Sequence, residues 1–127
     1  MTDIIGESDR LVLRRVRLAD QAEYCAVLER SAAFHAPWSP LPPEGSDPFG
    51  AEAFAKVYKS DDGVGCVRGL VFAKADGRLV GSVNANAIVR GAFQNTFIGY
   101  WLAEGETGQG YMTEAIGVML NHAFRPT

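Results

Sequence analysis

Three glycines, Gly105, Gly108 and Gly110, fall in the short stretch 103–110, between a run of strand-like residues and a run with helical spacing. Glycine takes up positive φ without steric cost and lets the backbone come close to a ligand. The first N–H groups of a helix have no intrahelical acceptor, and with the helix dipole they form a site for an anion. Strand, glycine loop and helix in this order can therefore hold phosphate. The loop contains no lysine, so the charge falls to backbone amides, and the Gly-Lys-Ser/Thr ending of a P-loop is absent. A dinucleotide fingerprint also fits poorly. Gly108 and Gly110 supply the first two glycines of G-x-G-x-x-G, but Thr113 stands at the third and no βαβ unit follows. The same glycines also suit a sharp turn that binds nothing.

Two elements must hold this loop. Residues 96–102 read as a strand that is apolar on both faces, with Phe97 and Trp101 on one and Ile98, Tyr100 and Leu102 on the other. Such a strand is expected to be central and covered on both sides. After the loop, Met112, Ala115, Ile116, Met119, Leu120, Ala123 and Phe124 recur at helical spacing and predict one face of a helix on a core.

The segment IGYWLAEGETGQGYMTEA resembles the cofactor-binding segment of the GNAT acyltransferases, which use acetyl-coenzyme A. Within that superfamily it is similar to the branch that acetylates the N-termini of ribosomal proteins, together with its small-molecule-modifying relatives. The matching residues are Gly99-Tyr100-Trp101, Gly108-Gln109-Gly110-Tyr111 and Thr113-Glu114-Ala115. The general superfamily pattern, Arg/Gln-x-x-Gly-x-Gly/Ala, falls on Thr107, Gly108, Gln109, Gly110, Tyr111 and Met112. Thr107 replaces the long polar residue and Met112 the small one, but neither change removes a backbone donor.

The resemblance implies an α/β (α+β) fold in which a mixed, mostly antiparallel sheet is flanked by helices. It covers about residues 8–125. It implies transfer of an acetyl group from acetyl-coenzyme A to a primary amine, on a protein N-terminus or a small molecule. Backbone groups of Trp101, Leu102 and Ala103 are then expected to hold the thioester and pantetheine. The stretch Thr107, Gly108, Gln109, Gly110, Tyr111, Met112 and Thr113 is expected to hold the pyrophosphate. The amine must lose a proton before it attacks, and Glu104 is the carboxylate nearest the strand end; it also fits a solvated loop acid. Glu114 is expected to position the first helical turn. Trp38, Asn84 and Tyr100 are the candidate acceptor-side residues. Trp38 sits in a proline-rich loop, 36–48, which it either pins to the body or uses to wall the acceptor pocket. Ser82, Asn84 and Asn86 form a polar stripe that faces either solvent or the acceptor cleft.

The remaining elements read in order as a strand over 10–17, a helix over 19–33 with Ala22, Cys25, Leu28 and Ala32 inward, and a short helix over 52–58. A strand over 66–74, a hairpin turn at Asp76-Gly77 and a strand over 79–89 follow. Formal net charge is -3, which gives no reason to favour nucleic acid and suits a cationic amine. Arg14, Arg15 and Arg17 read as a solvated basic face. No signal-peptide pattern or bilayer-length apolar run is present, so a cytoplasmic protein that engages no membrane is expected. Cys25 and Cys66 are read as reduced thiols, and no metal site is expected.

A complete family member continues with a parallel strand, a helix and two more strands. Residues 1–127 are therefore expected to form a single domain that is C-terminally incomplete. An open edge on the 96–102 strand would then invite pairing with another chain, so a homo-oligomer is expected. The competing expectation is a coenzyme A-binding or assembly protein without turnover.

Overall fold

The computed structural model describes residues 4–31, 51–62, 65–89 and 95–124. Five strands, β1 (Ile4–Glu7), β2 (Leu11–Arg15), β3 (Val67–Ala73), β4 (Leu79–Val89) and β5 (Asn95–Leu102), form one sheet in the order β1-β2-β3-β4-β5. Every neighbouring pair is antiparallel. Helices α1 (Gln21–Arg30) and α2 (Ala51–Ser60) pack on one face of the sheet, and α3 (Tyr111–Ala123) packs on the other. This is the α/β architecture expected from the sequence.

Strand alternation divides the core in two. Leu11, Leu13, Val67, Val71, Val83 and Ala85 meet Tyr111, Ala115 and Met119 of α3. Leu70, Leu79 and Val16 meet Tyr24 and Val27 of α1 and Phe54 of α2. A Cβ on Gly69 would lie 2.9 Å from the Met119 methyl and 2.9 Å from the Val83 carbonyl oxygen, so glycine lets α3 seat at this depth.

The β3–β4 turn forms at Asp76-Gly77, with Gly77 at φ 74 and its N–H donating to the Ala73 carbonyl at 2.8 Å. Just beyond it the register slips. Val71 faces Gly81 and Phe72 faces Leu79, leaving Val80 unmatched as a bulge. A Cβ on Gly81 would stand 2.4 Å from the Trp101 carbonyl oxygen, so glycine is needed where β4 presses on β5.

Several expectations are corrected. The strand β1 has no counterpart in the sequence reading, because four residues interrupted by a register shift carry little periodicity. The 96–102 strand is not covered on both sides: β5 is the edge of the described sheet, and Phe97 and Tyr100 are exposed. The first helix is shorter, preceded by a 3-10 turn at Leu18–Asp20, and its buried residues are Tyr24 and Val27 while Ala22 is exposed. Leu120, at helical spacing with the inward residues, lies at the rim of α3 and is exposed.

The arginines of β2 do not form a free solvated face. Arg14 donates two hydrogen bonds to Asp20, at 2.7 and 2.8 Å, and lies over the Phe72 ring. Arg15 pairs with the buried Asp61 carboxylate at 3.0 Å.

Candidate functional site

The glycine loop leaves β5 at Ala103 and enters α3 at Tyr111. Gly105, Gly108 and Gly110 all have positive φ, at 88, 77 and 79, so each glycine is required by conformation. Gly110 is the N-cap of α3 in the left-handed region. The Glu114 N–H is the first to donate into the helix, to the Gly110 carbonyl at 3.2 Å. The backbone N–H groups of Thr107, Gly108, Gly110, Tyr111, Met112 and Thr113 donate no close hydrogen bond to backbone among the described residues, while the turn at Thr107-Gly108 brings the Gln109 N–H toward the Glu106 carbonyl. Thr107 to Gly110 are exposed, as is Thr113. Tyr111, by contrast, is buried in the α3-face core and Met112 packs against it.

The helix end of the loop is held by a clamp. The Arg10 guanidinium donates to Glu114 Oε1 from Nη2 at 2.8 Å and from Nε at 3.0 Å. The other carboxylate oxygen accepts from the Arg10 backbone N–H at 3.2 Å and from the Ser8 hydroxyl. The guanidinium also lies over the Tyr111 ring, 4.6 Å from its centroid. The Ser8 hydrogen bond is the largest influence on the Glu114 carboxyl; burial opposes it, and the side-chain and backbone hydrogen bonds from Arg10 add to it, so that the carboxyl is held below its ordinary pKa. Glu114 therefore positions the first helical turn, as expected, by tying it to the β1–β2 hairpin. Arg10 places a cation beside the loop: its Nη2 lies 3.5 Å from where a Gly110 Cβ would be. A hollow of about 410 Å³ opens beside it, lined by Asp9, Arg10, Ala73, Lys74, Ala75 and Tyr111.

The strand end of the loop is fixed separately. The buried Glu106 carboxylate takes two hydrogen bonds from Arg78, at 2.8 and 3.0 Å. These raise the Arg78 pKa, and Asp76 adds to the effect. The Glu104 N–H donates to the buried Ser31 hydroxyl at 2.9 Å, while its side chain is exposed. Ala103 is fully buried with both backbone groups engaged, its N–H on the Val80 carbonyl at 2.9 Å and its own carbonyl accepting from Glu106.

On the α1/α2 face, Trp101 meets Tyr24 edge-on at 5.8 Å, and Tyr24 meets Phe54 at 5.4 Å. Burial raises the Tyr24 pKa, opposed by a hydrogen bond that the Trp101 ring N–H donates to its hydroxyl oxygen. Farther along, Asn84 stands between Arg68 of β3 and Gly99 of β5. Ser82 donates to the Gly69 carbonyl at 3.0 Å and to Asn84 Oδ1 at 3.3 Å. Arg68 donates to Ser60 Oγ at 2.7 Å and to Asn86 Oδ1. Tyr100 pairs in register with Val83 and so belongs to the α3 face of the sheet. Asn84 and Tyr100 therefore lie on opposite faces of the sheet. Trp38 lies outside the described residues.

Sequence reasoning missed Arg10, Arg68 and Arg78. Each acts through a partner more than five positions away in the chain, and a single strand gives no periodic signal for such pairs.

The GNAT acetyltransferase domain model matches residues 10–127, and the chain belongs to that family. A curated relative, "Probable N-acetyltransferase YjcK" of Bacillus subtilis (strain 168), is 44% identical over 54 residues, which are 42% of this chain and 30% of that protein. Among solved structures, Mycobacterium smegmatis RimJ in complex with CoA-disulfide is 25% identical with a TM-score of 0.72, covering 91% of this chain and 56% of that one. The ribosomal-protein-S5-alanine acetyltransferase of Vibrio fischeri shares the fold at 21% identity and a TM-score of 0.73, covering 91% of this chain and 64% of that one. The chain thus spans 30% of the curated relative and 56% to 64% of these solved ones. No helix among the described residues is long and apolar enough to cross a membrane.

Proposed function

We propose that this chain carries the acetyl-coenzyme A site and the acceptor-facing surface of an N-acetyltransferase acting on protein N-termini. The observation that carries this reading is the run of amides from Thr107 to Thr113 that lack a close backbone acceptor among the described residues, with Gly108 and Gly110 at positive φ just before α3. Backbone donors at a helix N-terminus suit a pyrophosphate, and Arg10 adds a cation at its side. The choice of a protein acceptor draws on the likeness to RimJ and to other ribosomal-protein acetyltransferases. A cytoplasmic setting suits Cys25 and Cys66, neither of which is in a disulfide.

When bound, acetyl-coenzyme A supplies an acyl group already activated as a thioester. Thr107 to Thr113 hold its phosphates, and the end of β5 at Trp101 and Leu102 orients the arm. Ala103 is assigned a supporting role, because its own N–H and carbonyl are occupied within the chain. The acceptor amine must be neutral to attack, so a base is needed directly or through water. Glu104 is the proposed base, since its exposed carboxylate follows the strand end closely.

A binding protein without turnover is the second reading. It is favoured by one observation: the Glu104 carboxylate has no side-chain partner among the described residues to orient it. Incubation with acetyl-coenzyme A and a peptide with a free α-amine separates the two. Thiol release matched by acetylated peptide supports the enzyme. Saturable coenzyme A binding with no acetylated peptide supports the second reading.

A further inference from the structure

We propose that the α1/α2 face selects acceptor peptides carrying a carboxylate a few residues beyond the reacting amine, with Arg68 as the group that reads it. This rests on the protein N-terminal acceptor proposed above. Arg68, Asn84 and Gly99 form one row across β3, β4 and β5, since Arg68 faces Asn84 and Asn84 faces Gly99 in register. Side chains in register on adjacent strands point to the same face. The row next to it toward the loop ends at Trp101, opposite Ser82.

Arg68 and Asn84 of this row continue the polar stripe of Ser82 and Asn86 along β4, beside the apolar residues Leu70, Leu79 and Trp101 of the same face. Nothing lies within 4 Å of a Cβ placed on Gly99, so the surface there is open. Arg68 is half-buried and held in place by Ser60 and Asn86, both neutral, and it meets no carboxylate among the described residues. By contrast, Arg10, Arg14, Arg15 and Arg78 each pair with an acid. A fixed, partly buried guanidinium without a counter-ion among the described residues suits recognition of a carboxylate.

Spacing decides which carboxylate. Arg68 lies two strands across from β5 and one row back from Trp101, which places it roughly 12 Å from the strand end at ~4.8 Å per strand and ~3.3 Å per residue. A free α-amino acid carries its carboxylate about 2.5 Å from its amine, by backbone bond lengths, and cannot span this. An extended peptide advances ~3.3 Å per residue, so an Asp or Glu at roughly the third or fourth position reaches Arg68 while the α-amine lies at the end of β5.

Two labelled peptides test this, identical except for Glu or Gln at the third and fourth positions. Their binding to the coenzyme A-saturated protein is read by fluorescence anisotropy, and their acetylation by mass spectrometry. The acidic peptide is expected to bind about tenfold more tightly, with a preference that weakens in high salt. Arg68→Gln should bring the ratio to about one. Asn84→Asp places a carboxylate opposite Arg68 without removing its hold on Ser60 and Asn86, and should also erase the preference. It keeps the test available if Arg68→Gln does not fold. Equal affinity of the native chain for both peptides, no peptide binding, or a preference surviving both variants would overturn the proposal. Acidic preference in binding without any acetylated product would instead count against the catalytic reading and leave the role of Arg68 standing.

Discussion

Arg10 and Glu114 are 104 positions apart, yet their side chains meet at 2.8 Å. The contact joins the turn after β1 to the first turn of the helix that follows the glycine loop. It fixes where the amides at the start of α3 point, because Glu114 is the residue whose N–H closes the helix onto Gly110.

Removing that contact should loosen the end of the molecule that holds the loop. Hydrogen bonds to a charged group contribute up to ~3 kcal/mol each, but exposure reduces this here, since the Arg10 side chain is 46% exposed. Glu114→Ala is expected to destabilise by about 1 kcal/mol, lowering the melting temperature by ~3–5 °C. Calorimetry checks this; an unchanged melting temperature would mean the clamp adds nothing.

Acid should act through Asp20. Burial pushes its carboxyl up, but hydrogen bonds from Arg14 and the Arg17 N–H, with the charges of both arginines, outweigh that and hold it below its ordinary value. A carboxylate whose pKa is lowered on folding stabilises fully above its unfolded value and loses that stabilisation as pH falls through the folded one. Asp20→Asn should therefore be less stable than the native chain at neutral pH, with the gap closing below about pH 4. Denaturant melts across the acid range read the gap; one constant with pH would contradict the assignment.

Glycine at 110 and glycine at 77 offer a matched pair. Both hold positive φ, at 79 and 74, but Gly110 opens the site and Gly77 sits in a hairpin with nothing within 4 Å. Valine at either position incurs the same kind of backbone strain. Gly110→Val is expected to weaken coenzyme A binding at least tenfold (~1.4 kcal/mol), whereas Gly77→Val lowers stability and leaves affinity alone. Titration calorimetry on both variants separates lost binding from lost folding. Equal affinities would make the loop a turn and nothing more.

Phe97 and Tyr100 are 68% and 60% exposed, and no described strand pairs with the outer edge of β5. Such an edge favours pairing with another chain, so this chain is expected to self-associate. Light scattering should report a larger species for the native chain than for a Phe97→Ser, Tyr100→Ser double variant. A native monomer at micromolar concentration would contradict the expectation.

The sequence was most legible where local periodicity and turn chemistry agree. The Met112 to Ala123 spacing placed α3, Asp76-Gly77 placed a hairpin, and the glycines of 103–110 placed the loop that joins β5 to α3. It was least legible where the deciding partner is distant. Nothing near Arg10 in the chain points to Glu114, and nothing near Arg78 points to Glu106. Apolar residues also mislead at a sheet edge: Phe97 and Tyr100 read as buried on composition, but only the order of strands tells whether a face is covered. Asn84 and Tyr100, both candidate acceptor-side residues, lie on opposite faces, which only the strand register reveals.

The central claim, that the amides from Thr107 to Thr113 receive the coenzyme A phosphates, is tested most directly by following those amides. In a coenzyme A titration of the nitrogen-15-labelled chain, the N–H resonances of Gly108, Gly110, Tyr111 and Met112 should shift most and saturate together, as their hydrogen bonds pass from water to phosphate. If these resonances stay still while coenzyme A binds elsewhere, or if no resonance moves at all, the loop does not hold the cofactor and the proposed function fails with it.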